Sequence, residues 1–380
     1  MFLICIISIS VYGLFCEAAL AESSAPDNAA KAAVLIHGDT GTLLFEKNAE
    51  ERMLIASTTK IMTAFVVLEN CAPEDEVEIK SEYCGIEGSS MYLSAGTTRK
   101  VEDLLYGLML ASGNDAAVAL AHHAGGSIEG FAELMNEKAR ELGLENSHFV
   151  NPHGLDAEEH YSSAKDLAVI TSAAMKNDKF REIASTRSIT LEGLTYVNHN
   201  KLLWNYDGTV GGKTGYTMAA GRSLVSCAER DGLLLICVTL SDPNDWNDHM
   251  ALFDWGFDSY RYEQIVNTNE MAKLPIVSGS VESIGVAAER ELSLLLKKED
   301  TVDCSYELPR FAYASVVAGE RAGAVTVRVN GEAVARIDIC YTRGVGIADG
   351  VRLSILEKIK RAWQLSAKFG GLKYGYYGTI

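Results

Sequence analysis

Three short motifs carry residue types able to do covalent chemistry: Ser57-Thr58-Thr59-Lys60, Ser112-Gly113-Asn114 and Lys213-Thr214-Gly215. A serine hydroxyl is a poor nucleophile until a neighbouring base takes its proton. Ser57 opens an apolar-rich segment running to Leu68 that reads as a buried helix. Lys60, three residues on, shares a helical face with Ser57 and can reach its hydroxyl. A lysine serves as a base only if its pKa falls, which burial and a second nearby cation, Lys213, both promote. The backbone N–H of Ser57, near a helix start, is available to a developing oxyanion, and a second donor is needed opposite it. Gly215, with no side chain, lets a substrate backbone lie close against a strand edge.

Singly, each motif has a plain structural account. Ser57 would be a helix N-cap, Lys60 a solvated lysine, Ser112-Gly113-Asn114 a turn with Asn114 capping the next helix, and Lys213-Thr214-Gly215 a turn entering a strand. The order and the settings argue for chemistry instead. S-x-x-K opens a helix, S-x-N sits on a break between helices, and K-T-G sits just before a strand, an arrangement that resembles the penicillin-binding proteins and serine β-lactamases. The surroundings narrow the resemblance. The runs 56–63 and 102–116, Asn151-Pro152-His153-Gly154-Leu155, Tyr161-Ser162-Ser163-Ala164 and the approach to Gly212-Lys213-Thr214-Gly215-Tyr216-Thr217 look like the low-molecular-mass D-alanyl-D-alanine carboxypeptidases. The likeness is close from Ala32 to Phe257 and extends beyond that in layout only.

What the resemblance implies is specific. Ser57 is the acylated nucleophile and Lys60 its base. Ser112 relays the proton to the departing D-alanine, and Asn114 orients Lys60 and the substrate amide. Lys213 and Thr214 hold the terminal carboxylate with Gly215 alongside, and the N–H groups of Ser57 and Tyr216 form the oxyanion hole. The implied substrate is a peptidoglycan stem peptide ending in D-Ala-D-Ala, trimmed by one residue, with β-lactams as covalent inhibitors and no cofactor or metal. One departure stands out. Family members often carry a carboxylate-binding arginine shortly after the hairpin at 223–240, but here the segment reads Asp242-Pro243-Asn244-Asp245-Trp246-Asn247-Asp248. Arg222 or Lys201 is left to compensate.

The elements that must position these groups are legible in outline. Lys31 to His37 and Thr42 to Ala49 read as a hairpin around Gly38-Asp39-Thr40-Gly41. A mostly helical block from Val101 to about Leu142 is broken at Ser112-Gly113-Asn114 and Gly125-Gly126. Strands return at Ser223–Cys227 and Leu233–Leu240, and a helix at Asn247–Phe257 closes the unit. Strands at both ends with helices between describe an α/β domain whose termini pair in one sheet. After Tyr262 short β-type runs at 276–278, 283–287, 314–317, 324–329 and 333–338 mark a small all-β module. The expected fold is therefore α/β, of the serine β-lactamase/DD-peptidase-like transpeptidase type, followed by a small all-β domain and a C-terminal amphipathic helix. The expected division is a signal peptide at 1–21, a catalytic domain at 28–262, a β-rich domain at 268–348 and a membrane-associating helix at 351–369.

Charge and composition limit the alternatives. A formal net charge of −17 argues against a nucleic-acid partner, which needs a basic face. The apolar run Phe2–Cys16, followed by Ala19-Leu20-Ala21, reads as an export signal cleaved after Ala21, although no Lys or Arg precedes it. The segment after Gly350 carries a net +5 in an otherwise acidic chain, and Val351, Ile355, Ile359, Ala362 and Trp363 follow helical spacing. These features predict a helix lying on an anionic membrane surface, with the enzyme on the outer face of the cytoplasmic membrane. Cys227 and Cys237 flank Arg230-Asp231-Gly232 and could oppose one another across a hairpin. A β-lactamase would need a water-activating group between the second and third motifs, and Glu158 and Glu159 lie there without the class A loop setting. No G-x-S-x-G elbow supports a Ser-His-Asp hydrolase, and His148, His153 and His160 lack H-E-x-x-H spacing. A non-catalytic penicillin-binding sensor would keep the same motifs without turnover.

Overall fold

β1 (Ala32–His37) is apolar on both faces and buried at every residue, as is β9 (Leu233–Leu240) beside it. Strands that read as continuous apolar runs need cover on both sides. The computed structural model, which describes residues 24–348 and 354–368, supplies it. β1 turns back into β2 (Leu43–Lys47) and pairs on its other edge with β9, Ala32 opposite Leu240 and His37 opposite Leu235. β8 (Gly221–Arg230) and β7 (Thr209–Thr217) complete an antiparallel sheet of order β2-β1-β9-β8-β7. The first and last strands of the unit thus meet at its centre, as the sequence pattern implies.

The helices that the chain forms between β2 and β7 share one apolar core with one face of this sheet: α1 (Lys60–Asn70), α2 (Val101–Leu110), α3 (Asn114–Gly125), α4 (Ile128–Glu141), α5 (Ala164–Ala174) and α6 (Asp178–Ser185), of which α5 and α6 pack directly on its strands. The short α7 (Leu202–Asn205) instead places Leu202 in the cluster on the opposite face. The helix boundaries follow from local chemistry. Ser127, Ser163 and Asn177 cap α4, α5 and α6 by accepting backbone N–H bonds, and Gly126 ends α3 in the left-handed conformation. Two small hairpins, β3 (Glu76–Glu78) with β4 (Thr98–Lys100) and β5 (Ser188–Leu191) with β6 (Leu194–Val197), lie among them. The other face is covered by α8 (Asp245–Ser259), whose Leu252 and Phe253 pack with Leu35, Leu224 and Leu235.

Three local expectations need correction. Lys213-Thr214-Gly215 lies inside β7 rather than before a strand. Gly211, Gly212 and Gly215 erase the apolar alternation by which a strand is recognised, and a Cβ at Gly212 would come within 2.2 Å of the Val225 carbonyl oxygen. Ser57 does not open an α-helix directly but sits in a 3₁₀ turn, Ala56–Thr59, that leads into α1. Cys227 and Cys237 do not face one another. The register pairs Ser226 with Cys237 and Cys227 with Ile236, so the two thiols fall on opposite faces of the sheet and both are free.

Beyond α8, β10 (Tyr260–Val266) pairs with β13 (Leu292–Lys297). A six-stranded sheet of order β14-β16-β17-β12-β11-β15 follows, made from β11 (Ala272–Val277), β12 (Ser283–Ala288), β14 (Val302–Glu307), β15 (Ala312–Tyr313), β16 (Arg321–Val329) and β17 (Glu332–Tyr341). The run 314–317 contributes only an isolated bridge, Val316 to Val345; β10 and β13 lack a sustained period-two pattern, whereas β14, Val302-Asp303-Cys304-Ser305-Tyr306-Glu307, alternates strictly and is a strand that the expected runs omit. α9 (Ile355–Lys368) approaches β11 yet leaves Ile355, Leu356, Ile359 and Trp363 exposed. No helix among the described residues is long and apolar enough to cross a membrane. The apolar run at 2–16, Val351, Arg352 and Lys373 lie outside the described residues.

Candidate active site

The 3₁₀ turn, the break between α2 and α3, and β7 converge at one point. Lys60 is fully buried, and its Nζ lies 3.0 Å from Ser57 Oγ, 2.7 Å from Asn114 Oδ1 and 2.7 Å from the His153 carbonyl oxygen. Burial first, and then the Lys213 ammonium, push its pKa well below the ordinary lysine range, with Asp115 opposing. Lys213 is also buried, with Nζ 3.0 Å from Ser112 Oγ and 2.8 Å from the Thr214 carbonyl oxygen. Burial lowers its pKa to about 7. Two hydrogen-bonded sets thus adjoin, Ser57–Lys60–Asn114 and Ser112–Lys213, with the Lys213 charge felt at Lys60. A Cβ at Gly215 would lie 3.1 Å from the Ser57 nitrogen and 3.0 Å from the Ile55 carbonyl oxygen, so a side chain there would push the turn and β7 apart. Tyr216 follows on the same strand, opposite Arg222, with its ring exposed.

The donor arithmetic at Lys60 is informative. A neutral amine has two N–H donors and one lone pair. Asn114 Oδ1 and the His153 carbonyl can only accept, so in the neutral form they take both N–H bonds and leave the lone pair for the Ser57 hydroxyl proton, whereas the ammonium form donates to Ser57 Oγ as well.

The turn bearing Ser57 is built under local strain. Ala56 has φ +48°, a left-handed conformation that a non-glycine residue rarely adopts. Hydrogen bonds hold it. The Thr58 and Thr59 hydroxyls donate to the Ile55 and Ala56 carbonyls at 2.6 and 2.8 Å. The Thr59 oxygen lies 2.8 Å from His160 Nε2, while His160 Nδ1 accepts from the Val150 N–H at 3.2 Å. The imidazole is therefore neutral with its proton on Nε2, consistent with a pKa lowered to about 3, chiefly by burial. Gly154 packs against the Ala56 carbonyl so closely that a Cβ there would come within 1.9 Å of it.

Several positioning groups carry no signature in the sequence. The His153 acceptor is a backbone carbonyl, which any residue provides. Asp115, adjacent to Asn114, is buried and accepts from the Ser90 hydroxyl and from the Met91 and Leu93 N–H groups, fastening the loop at 89–93 beside the cluster. The acidic residue after S-x-N was the one available clue. Of the two residues left to compensate for the missing arginine, Arg222 is engaged by Asp245, whose two carboxylate oxygens lie 2.8 Å from its Nη2, with Trp246 beneath the guanidinium. Lys201 stands exposed at the start of α7. Glu158 and Glu159 are exposed on their loop. His148 Nδ1 bonds the Glu159 carbonyl, and no group of acidic, His or Cys residues among those described is arranged to hold a metal ion.

The chain is similar to known proteins along most of its length. The family model described as D-alanyl-D-alanine carboxypeptidase, Peptidase_S11, matches residues 19–244. The chain is 35% identical over 323 residues to the D-alanyl-D-alanine carboxypeptidase DacF of Bacillus subtilis, covering 80% of this chain and 83% of that protein. It is 32% identical over 333 residues to DacD of Escherichia coli, covering 82% and 86%. Among solved structures, penicillin binding protein 5 from Haemophilus influenzae superimposes with a TM-score of 0.67 at 30% identity, over 85% of this chain and 99% of that one. Penicillin binding protein 6B from Escherichia coli does so with a TM-score of 0.68 at 29% identity, over 84% and 97%.

Proposed function

The chain belongs to the D-alanyl-D-alanine carboxypeptidase family of serine peptidases, and from that premise we propose that Ser57 carries the acyl group while Lys60 moves its proton. The activity is serine-type D-Ala-D-Ala carboxypeptidase hydrolysis of peptidoglycan stem peptides, and the family binds β-lactams. The observation that supports the residue roles best is Lys60 itself, a buried amine whose two N–H groups are taken by Asn114 and His153.

In this reading Ser57 Oγ attacks the carbonyl carbon of the penultimate D-alanine as its proton passes to Lys60 Nζ. The N–H groups of Ser57 and Tyr216 receive the oxyanion. The C–N bond then breaks, and the departing amine takes the proton that Lys60 received, passed on through Ser112, which Lys213 holds at 3.0 Å, so that Lys60 is neutral again. Lys213 and Thr214 bind the terminal carboxylate, and Asn114 holds both Lys60 and the substrate amide. Water next attacks the ester, again with Lys60 as base, and frees the shortened peptide. No metal or cofactor enters any step.

The second part of the reading concerns place. The run Phe2–Cys16 with Ala19-Leu20-Ala21 supports export, and the exposed apolar residues of α9 with its basic neighbours support attachment to an anionic membrane surface. The nucleophile is tested by Ser57→Ala. Covalent penicillin labelling and D-alanine release should both disappear while the melting temperature is kept. Labelling that persists on a peptide lacking residue 57 would overturn the assignment.

A further inference from the structure

Beside the reacting groups lies a cleft of about 430 Å³ that the steps above do not use. Its walls include Ser90, Tyr92, Ala111, Leu194, Val197 and His199. It is continuous with the site. Ala111 directly precedes Ser112, the neighbouring Ser89 carbonyl accepts the Asn114 N–H at 2.7 Å, and His199 lies close enough to Lys213 to feel its charge. The cleft therefore borders Ser112 and Asn114, with Lys213 near its His199, and so lies beside the two groups given above to the leaving residue.

Tyr92 is the unusual element in this wall. Its ring is 79% exposed, while its neighbours Met91 and Leu93 are buried at 2% and 8%. Its φ is +63°, a conformation that a bulky residue avoids. The backbone around it is nonetheless tightly held. Asp115 accepts the Met91 N–H at 2.9 Å and the Leu93 N–H at 3.0 Å, the Ser90 oxygen accepts the Tyr92 N–H at 2.8 Å, and the Tyr196 hydroxyl donates to the Met91 carbonyl at 2.9 Å. A rigid loop, held by these hydrogen bonds with Tyr92 at positive φ, thus presents a large aromatic ring to solvent at the rim of a reactive cleft. Strain of this kind persists where the surroundings over-determine it, and it clusters at ligand-contacting positions.

The methyl group of a leaving D-alanine would fill little of this space. The lining is apolar and aromatic with hydroxyls and one imidazole, and it includes no carboxylate, lysine or arginine. We propose that the cleft receives the side chain of the leaving C-terminal residue, that it admits D-residues with apolar or aromatic side chains as well as D-alanine, and that Tyr92 is the residue setting this tolerance. The reaction is the same hydrolysis: the peptide bond to the last D-residue breaks, water supplies the new carboxyl oxygen and the protons, and the free D-amino acid leaves. The inference rests on the assignment of Ser112 and Lys213 to the leaving side.

Peptides ending in D-Ala-D-Ala, D-Ala-D-Leu and D-Ala-D-Phe test it on the full chain, with release of the last residue measured for the parent, Tyr92→Phe, Tyr92→Ala and Tyr92→Gly. The glycine variant relieves the positive φ and so guards against misfolding. The parent should release D-Phe with kcat/KM within about tenfold of D-Ala. Tyr92→Ala and Tyr92→Gly should lose about tenfold on D-Phe, mostly in KM, and less than about twofold on D-Ala, the size expected for a lost aromatic contact. Tyr92→Phe should behave as the parent. A parent that releases D-Ala but not D-Phe, or glycine and alanine variants that lose equally on all three peptides, would overturn the inference while leaving the acyl-enzyme reading intact. Absence of penicillin labelling at Ser57 in the parent would overturn that reading, and the inference with it.

Discussion

The interior of the catalytic unit holds Lys60, Lys213, Asp115, Asp242, Asp248, His160 and His249, all buried. The interior of the C-terminal sheet is Leu274, Ile276, Val286, Val325, Ile337 and Ile339, with Ser278 and Thr326 as its buried polar side chains among the described residues. Removing a cation from water costs several kcal/mol, and only well-placed partners offset it. In the mechanism proposed above that cost has a use at Lys60, because desolvation favours the neutral amine that a base requires. The β unit has no such task, and its buried groups are those that simple area burial favours. Activity and stability should therefore respond to different substitutions in the two regions.

The sharpest separation is at Lys60. Replacing it by methionine keeps the volume, removes the buried amine and leaves the Asn114 oxygen and His153 carbonyl without a donor. Acylation should fall by about 10²–10⁴-fold, the usual value of a general base. The melting temperature should change little, because the relieved desolvation of the amine opposes the two lost hydrogen bonds. Penicillin labelling kinetics beside a thermal melt decide the matter. A variant that unfolds would make Lys60 a structural residue and end the contrast.

The converse substitution is Ile339→Ala in β17, at a position with no exposure. It should destabilise the protein by about 2–5 kcal/mol through lost burial and a residual cavity. At a temperature where the variant remains folded, kcat for D-alanine release should stay within about twofold of the parent. A tenfold loss of kcat there would show that the sheet supports the active site and is not independent of it.

Lys213 offers a smaller, pH-dependent test. Its pKa, lowered to about 7 by burial, leaves a cation below neutrality and a neutral amine above it. Because the folded value lies beneath that of a free lysine, the group's penalty on stability shrinks as pH rises from about 7 towards 10.4. Recognition of a carboxylate moves the opposite way. The kcat/KM for peptides with a free C-terminal carboxylate should decline above pH about 7, by up to tenfold per pH unit, while amidated peptides should not show this limb. Parallel profiles for the two substrates would remove Lys213 from carboxylate recognition.

Much of this was legible in the residues. The sheet closure between β1 and β9 follows from two apolar runs at opposite ends of one unit, and the breaks between α2, α3 and α4 follow from Ser112-Gly113-Asn114 and Gly125-Gly126. β7 was obscured because the glycines that permit close approach at Ser57 are the residues that erase a strand's alternation. The motif serines and lysines stood out by type. The acceptor at His153 did not, because it is a carbonyl, and Asp115 did not, because its work is to hold the loop bearing Tyr92. Tertiary hydrogen bonds of this kind depend on which loops meet, and no spacing in the chain encodes that.

The smallest expected change in chemistry comes from the C-terminal segment. α9 presents Ile355, Leu356, Ile359 and Trp363 with exposures of 57–80%, so their apolar area is not used within the fold. The segment after Gly350 carries a net +5, whereas residues 22–350 carry about −21 and would be repelled by an anionic lipid surface. Attraction of basic residues to such a surface is about 1 kcal/mol each, and an apolar face buried at the headgroup boundary adds to it. The competing arrangement is suggested by the approach of α9 to β11, in which the helix would belong to the β unit and its basic side would be merely solvated. The two differ in what truncation after Gly350 does. If α9 is a membrane helix, release of D-alanine from small peptides and the melting temperature should both match the full chain within error. Flotation with vesicles containing anionic lipid should then be lost, and raised salt should weaken it in the full chain. Vesicle binding that survives truncation, or a melting temperature several degrees lower, would place the helix with the β unit instead.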